Sequence, residues 1–172
     1  CIRDSGCTSA TLTHGFEFDR NLAQKLRQDS GAKVVTAAGA LVYALRALAV
    51  QRIGFASPYV PEINDMAVRF LGEAGFESVT KSQVSATLDN VGQGALSPDD
   101  VFALGQAADH PDAQAIVLSC TDMRSLETLA RLEKALGKPV ICSNQAMMFE
   151  AMELAGIPNP VKGYGHLLEG MR

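Results

Sequence analysis

Short apolar runs alternate with amphipathic stretches from residue 52 to residue 155, and this alternation confines the chain to an α/β fold. Residues 52–57 (RIGFAS) form an apolar run that stops at Pro58, the pattern of a buried strand followed by a turn. Residues 61–74 carry Ile63, Met66, Ala67, Phe70 and Leu71 at helical spacing, and Gly75 ends them. Residues 76–84 supply the next strand. Ser97 precedes Pro98, Asp99 and Asp100, which predicts an N-cap, a proline in the first helical position and acids in the first turn of a helix running to about residue 108. Strands are predicted at 115–119 and 138–142, and helices at 125–136 and 144–155. Strands that alternate with helices build a doubly wound parallel sheet.

The first 50 residues repeat the end of this pattern. Cys7-Thr8-Ser9 leads to a helix at about 18–28, then Gly31, then Lys33-Val34-Val35 and small residues that open another helix. Cys120-Thr121-Asp122 leads to a helix, then Gly137, then Lys138-Pro139-Val140 and again small residues opening a helix. Order and chemistry agree over several elements, as in a duplicated unit. The expectation is two pseudo-symmetric doubly wound lobes with parallel sheets and a site between them. Residues 1–48 and 145–172 would form the first lobe and 49–144 the second. The second copy has two strands and two helices ahead of its Cys-Thr, whereas the first has a few residues. The N-terminal part of the first lobe, about 60 residues by the logic of the repeat, is therefore expected to be absent from this chain.

Composition bounds the function. With 15 Lys+Arg against 19 Asp+Glu the net charge is -4, which disfavours nucleic acid as a partner. The longest apolar stretch, 34–50, contains Arg46 and falls short of the roughly 20 residues a membrane span needs. The apolar 40–50 segment is expected to pack between the lobes, with a homo-oligomer interface as the alternative. The four cysteines, Cys1, Cys7, Cys120 and Cys142, have no CxxC zinc or redox spacing, and no metal is expected. The first residues lack a charged and then apolar leader pattern. The expectation is a cytoplasmic protein whose cysteines are free thiols.

Each Cys-Thr pair is predicted where a strand gives way to a helix, and ligands of open α/β sheets bind at that edge. A helix N-terminus there holds carboxylates and lowers a thiol pKa. Two such turns facing each other would put Cys7 and Cys120 on opposite sides of a small anion, one as nucleophile or base and the other as acid. Tyr59 follows the first strand of the second lobe and lies on the same edge. Gly92-Gln93-Gly94 lacks the third glycine of a dinucleotide fingerprint, and neither a nucleophile elbow nor a P-loop is present. His14, His110 and His166 are assigned structural or surface positions, and Met147, Met148 and Met152 are assigned to the core.

The segments Gly6-Cys7-Thr8-Ser9, Ser57-Pro58-Tyr59, Ser119-Cys120-Thr121-Asp122-Met123-Arg124, Gly137-Lys138-Pro139-Val140 and Ser143-Asn144-Gln145-Ala146 resemble the aspartate/glutamate racemase superfamily. They are most similar to its branch of maleate cis-trans isomerases and arylmalonate decarboxylases. The resemblance implies a two-lobed enzyme without a cofactor, acting on a small-molecule carboxylate. It implies that Cys7 is the nucleophile and that Cys120 handles the proton. Thr8, Ser9, Tyr59, Asn90 and Thr121 would bind substrate. The decarboxylases have glycine where this chain has Cys7, which favours isomerisation. Racemisation by two-thiol proton transfer, decarboxylation and a silent carboxylate-binding protein are the alternatives. The chain departs from the family at Ala10, usually glycine, and at Ser57, usually threonine.

Overall fold

The computed structural model describes residues 2–157 and 160–170. Two parallel sheets organise the chain. Strands β1 (Ile2–Ser5) and β2 (Lys33–Thr36) form the first. Strands β3 (Arg52–Ser57), β4 (Glu77–Gln83), β5 (Ala115–Leu118) and β6 (Val140–Cys142) form the second, in the order β4-β3-β5-β6. The inner strands explain the sequence pattern. β5 is buried along its whole length and β3 is buried after Arg52, so both read as continuous apolar runs. β4 pairs on one side only, and its polar ESVTKSQ sequence with Lys81 suits an exposed edge.

The longer helices lie close to the positions their signals predict. α1 (Thr8–Leu12) and α2 (Phe16–Ser30) lead from β1 to β2, and α3 (Ala37–Ala47) follows. α4 (Pro61–Glu73) starts on its proline, and α5 (Asn90–Ala95) is a single short segment. α6 (Pro98–Ala107) opens with a full capping box: Ser97 Oγ accepts from the Asp100 amide at 3.1 Å, and Asp100 accepts from the Ser97 amide at 2.9 Å. α7 (Leu129–Leu136), α8 (Ser143–Ala155) and α9 (His166–Glu169) complete the chain. The repeated glycines do the same task in both copies. Gly31 ends α2 at φ 64 and Gly137 ends α7 at φ 65, both left-handed.

The helix that follows each repeated strand joins the two sheets. α3 and α8 pack against each other, and each touches both β2 and β6. Leu41, Val42, Ala44 and Leu45 of α3 are buried. Tyr43 stays 39% exposed and Met148 55% exposed, so Met148 is not a core residue as the sequence suggested; it lies on the outer side of α8. Among the described residues no helix is long and apolar enough to cross a membrane.

Gly54 marks the tightest backbone approach in the sheet. A Cβ there would collide with the Ala108 carbonyl oxygen and Ile116 Cδ1. That carbonyl is already held by the Thr80 hydroxyl at 2.6 Å, so it has no room to yield. Gly54→Ala is expected to lower stability by about 3 kcal/mol, read as a drop in the urea midpoint. An unchanged midpoint would show that the β3–α6 approach relaxes freely.

Candidate active site

Cys7 ends the β1 turn and is the N-cap residue of α1, with its side chain exposed. Its sulfur lies 3.6 Å from Ser9 Oγ. Thr8 is buried, and its hydroxyl donates to Ser143 Oγ at 3.1 Å, which ties the first Cys-Thr turn to the start of α8. Tyr59 arrives from the end of β3 and is 7% exposed. A hydrogen-bond chain fixes it: the Tyr59 amide donates to Ser57 Oγ at 3.1 Å, the Ser57 hydroxyl donates to Asn64 Oδ1, and the Asn64 amide donates to Gln83 Oε1 at 2.6 Å. Serine at position 57 therefore keeps the hydroxyl that locks the Ser-Pro-Tyr turn between β3, α4 and β4.

Cys120 follows β5 and is 3% exposed. Its thiol donates to Gln93 Oε1 at 3.2 Å. The sequence placed this cysteine at a helix N-terminus with a lowered pKa, and both parts are corrected. A turn through Thr121–Met123 and a 3₁₀ segment at Ser125–Glu127 intervene before α7, so no helix begins at the thiol. Burial instead pushes the Cys120 thiol above its ordinary range; the Asp122 and Met123 amides and the Tyr59 hydroxyl pull the other way but do not prevail. Burial raises the Tyr59 phenol well above its ordinary value, and neighbouring Cys120 adds to the effect. Near neutral pH both groups therefore hold their protons.

One cavity of about 310 Å³ gathers the predicted residues: Cys7, Thr8, Ser9, Tyr59, Asn90, Cys120 and Thr121 all line it. Asn90 sits at the start of α5, exposed at the rim, and Thr121 presents its backbone carbonyl to Asn144 Nδ2 at 3.0 Å. The same cavity is lined by Gln93, Asp122, Leu88 and Ile63, none of them among the expected site residues. Gln93 lies between Gly92 and Gly94, in a segment whose sequence signal is its glycines. α5 has six residues and two glycines, too little for an apolar period to show. The Asp89 N-cap, which accepts from the Gly92 amide at 2.7 Å, was the legible signal.

The histidines lie elsewhere. His14 stacks on Phe18 at 4.7 Å, His110 accepts from the Asp112 amide, and His166 donates its backbone N–H to Glu133. Cys142 is a buried structural thiol: its sulfur caps α8 by accepting from the Gln145 amide, and burial pushes its pKa up to about 12. Cys1 lies outside the described residues. A larger groove of about 570 Å³ beside α2 and α3 mixes arginines with Asp19 and Glu150 and contains no cysteine, so the smaller cavity is the chemically equipped one.

This geometry has close parallels among known proteins. The chain is 30% identical over 170 residues to a maleate isomerase of Pseudomonas putida, covering 95% of this chain and 68% of that protein. It is 31% identical over 170 residues to an arylmalonate decarboxylase of Bordetella bronchiseptica, covering 94% and 68%. Its fold superposes on the Pseudomonas putida S16 maleate isomerase with maleate at a TM-score of 0.92, with 26% identity, covering 98% of this chain and 70% of that one. A Nocardia farcinica maleate cis-trans isomerase, a cysteine-to-serine variant with a covalently bound succinylcysteine intermediate, also superposes at 0.92, with 25% identity and coverage of 99% and 71%. The sequence profile of the arylmalonate decarboxylase family matches residues 6–168, nearly the whole length described, and the chain belongs to that family.

Proposed function

We propose that this protein is a cis-trans isomerase of a small dicarboxylate of the maleate type, using Cys7 as nucleophile and Cys120 as proton donor. The observation that carries the reading is the asymmetry of two thiols lining one cavity. Cys7 is exposed and unburdened by a buried hydrogen bond, whereas Cys120 is buried and holds its proton toward an amide oxygen. The maleate isomerase relatives, one with a covalent succinylcysteine, support the same chemistry. Residues 1–48 with 145–172 and residues 49–144 are read as the two lobes that contribute one thiol each.

The reaction follows from these positions. The Cys7 thiolate forms a C–S bond to one alkene carbon of maleate. The π electrons move to the other carbon, which takes the proton from Cys120. The new C–C single bond rotates. The Cys120 thiolate then removes a proton from the carbon it protonated, the C–S bond breaks, and fumarate leaves with the Cys7 thiolate and the Cys120 thiol restored. The substrate carboxylates would otherwise repel a thiolate, and donors at fixed positions offset that repulsion. The Tyr59 phenol, the Ser9 hydroxyl, the Asn90 amide and the backbone N–H groups at the start of α1 are suited to this task, with the Thr121 turn lining the same cavity. Thr8 contributes through its position, since its hydroxyl is engaged by Ser143.

Proton NMR of maleate incubated with the protein is the test: the fumarate signal is expected to grow as that of maleate falls. An unchanged spectrum, with the protein folded, would reject the reading. One observation favours a second reading, racemisation of an amino acid by two-thiol proton transfer. The exposed Asp122 carboxylate sits at the cavity wall, where it can pair with a substrate ammonium. Deuterium entering the stereocentre of aspartate in heavy water, without maleate conversion, would select that alternative.

A further inference from the structure

We propose that Gln93 is a positioning residue that keeps the Cys120 proton on sulfur and aims that thiol into the cavity, a role resting on the two-thiol reading above. The amide has only one way to face. Gln93 Nε2 donates to the Leu88 carbonyl at 3.1 Å, which leaves Oε1 toward the sulfur at 3.2 Å. An oxygen there can only accept, so the thiol must donate. A carbonyl dipole with its negative end on sulfur also disfavours the thiolate.

The residue is held from behind as well as at its tip. Its backbone amide donates to the Asp89 carbonyl at 2.9 Å, and Asp89 Oδ1 in turn caps the Gly92 amide. Gln93 is 9% exposed, so water competes weakly for the contact. The other groups around the sulfur are the Asp122 and Met123 amides and the Tyr59 phenol, which favour the thiolate, and the Asp122 carboxylate, which opposes it. The titratable groups lining the cavity are Cys7, Tyr59, Cys120 and Asp122. Gln93 is thus the uncharged acceptor that works with burial to keep the proton on Cys120. The two cysteines differ in their partners: Cys120 faces an amide oxygen that can only accept, whereas the hydroxyl beside Cys7, that of Ser9, can donate to a thiolate.

Iodoacetamide alkylation of Cys120, followed by peptide mass spectrometry across pH, tests the assignment without requiring turnover. Gln93→Met removes the acceptor at similar volume. The alkylation midpoint is expected to fall by about one pH unit, equivalent to about tenfold faster labelling below the midpoint. Maleate turnover is expected to fall by about tenfold or more, because the thiol is less well aimed at the carbon it protonates. Gln93→Glu keeps an acceptor oxygen, and its midpoint is expected at or above that of the parent. If circular dichroism shows that Gln93→Met is unfolded, Gln93→Asn withdraws the same oxygen by one methylene and carries the same expectation. A midpoint that stays put without the acceptor, or falls equally in Gln93→Glu, overturns the proposal. A protein that shows the expected midpoint shifts but never converts maleate retains the Gln93 assignment and sinks the isomerase reading alone.

Discussion

Cys7→Ser is expected to lower maleate-to-fumarate conversion by about 10³-fold or more while leaving the fold intact. A serine hydroxyl fits the same turn and keeps the neighbourhood of Ser9. It does not ionise near neutral pH, however, and is a poor nucleophile toward an electron-rich dicarboxylate alkene. The loss is expected in kcat, since the groups suited to hold the carboxylates are untouched. The cysteine is exposed, so stability is expected to change by no more than about 0.5 kcal/mol. Steady-state kinetics with fumarate absorbance checks the rate, and a thermal melt checks the fold. Full activity in this variant would remove the thiol from the reaction.

Cys120→Ser is expected to act differently. The serine can still donate to Gln93, and the cavity keeps its shape. Addition of Cys7 to substrate remains possible with a slower proton source. Elimination then needs a base to take the proton back, and a neutral serine beside an amide oxygen serves poorly. Turnover is expected to fall by about 10²–10⁴-fold, the usual worth of a positioned acid-base group. The covalent intermediate is expected to accumulate, seen as an intact-protein mass increased by one substrate. Comparable turnover with no adduct would show that water, and not Cys120, manages the proton.

Much of the fold was legible because its signals are local. Pro61, the Ser97-Pro98-Asp99-Asp100 cap and the glycines at 31 and 137 fix helix ends through backbone geometry that neighbours in sequence supply. The apolar runs at β3 and β5 declare strands buried on both faces. The seven residues expected to form a site line one cavity, because their turns all lie at the carboxyl ends of parallel strands or beside them.

What escaped was set by tertiary contact. Nothing near Cys120 in sequence announces that a 3₁₀ segment replaces the helix start, or that burial outweighs the Asp122 and Met123 amides. Gln93 reaches the thiol across 27 positions of sequence, and its orientation depends on the Leu88 carbonyl. Short helices such as α1 and α5 show no period to read. Met148 looked apolar enough for the core, yet packing of α3 on α8 leaves it on the outer face.

The most direct measurement is the location of the covalent adduct. The Cys120→Ser protein would be incubated with maleate, quenched in acid, digested and mapped by mass spectrometry. The expected result is a succinyl group on the peptide carrying Cys7 and on no other cysteine. An adduct on Cys1 or Cys142 instead, or an unmodified Cys7 in protein that still converts maleate, would contradict the two-thiol mechanism.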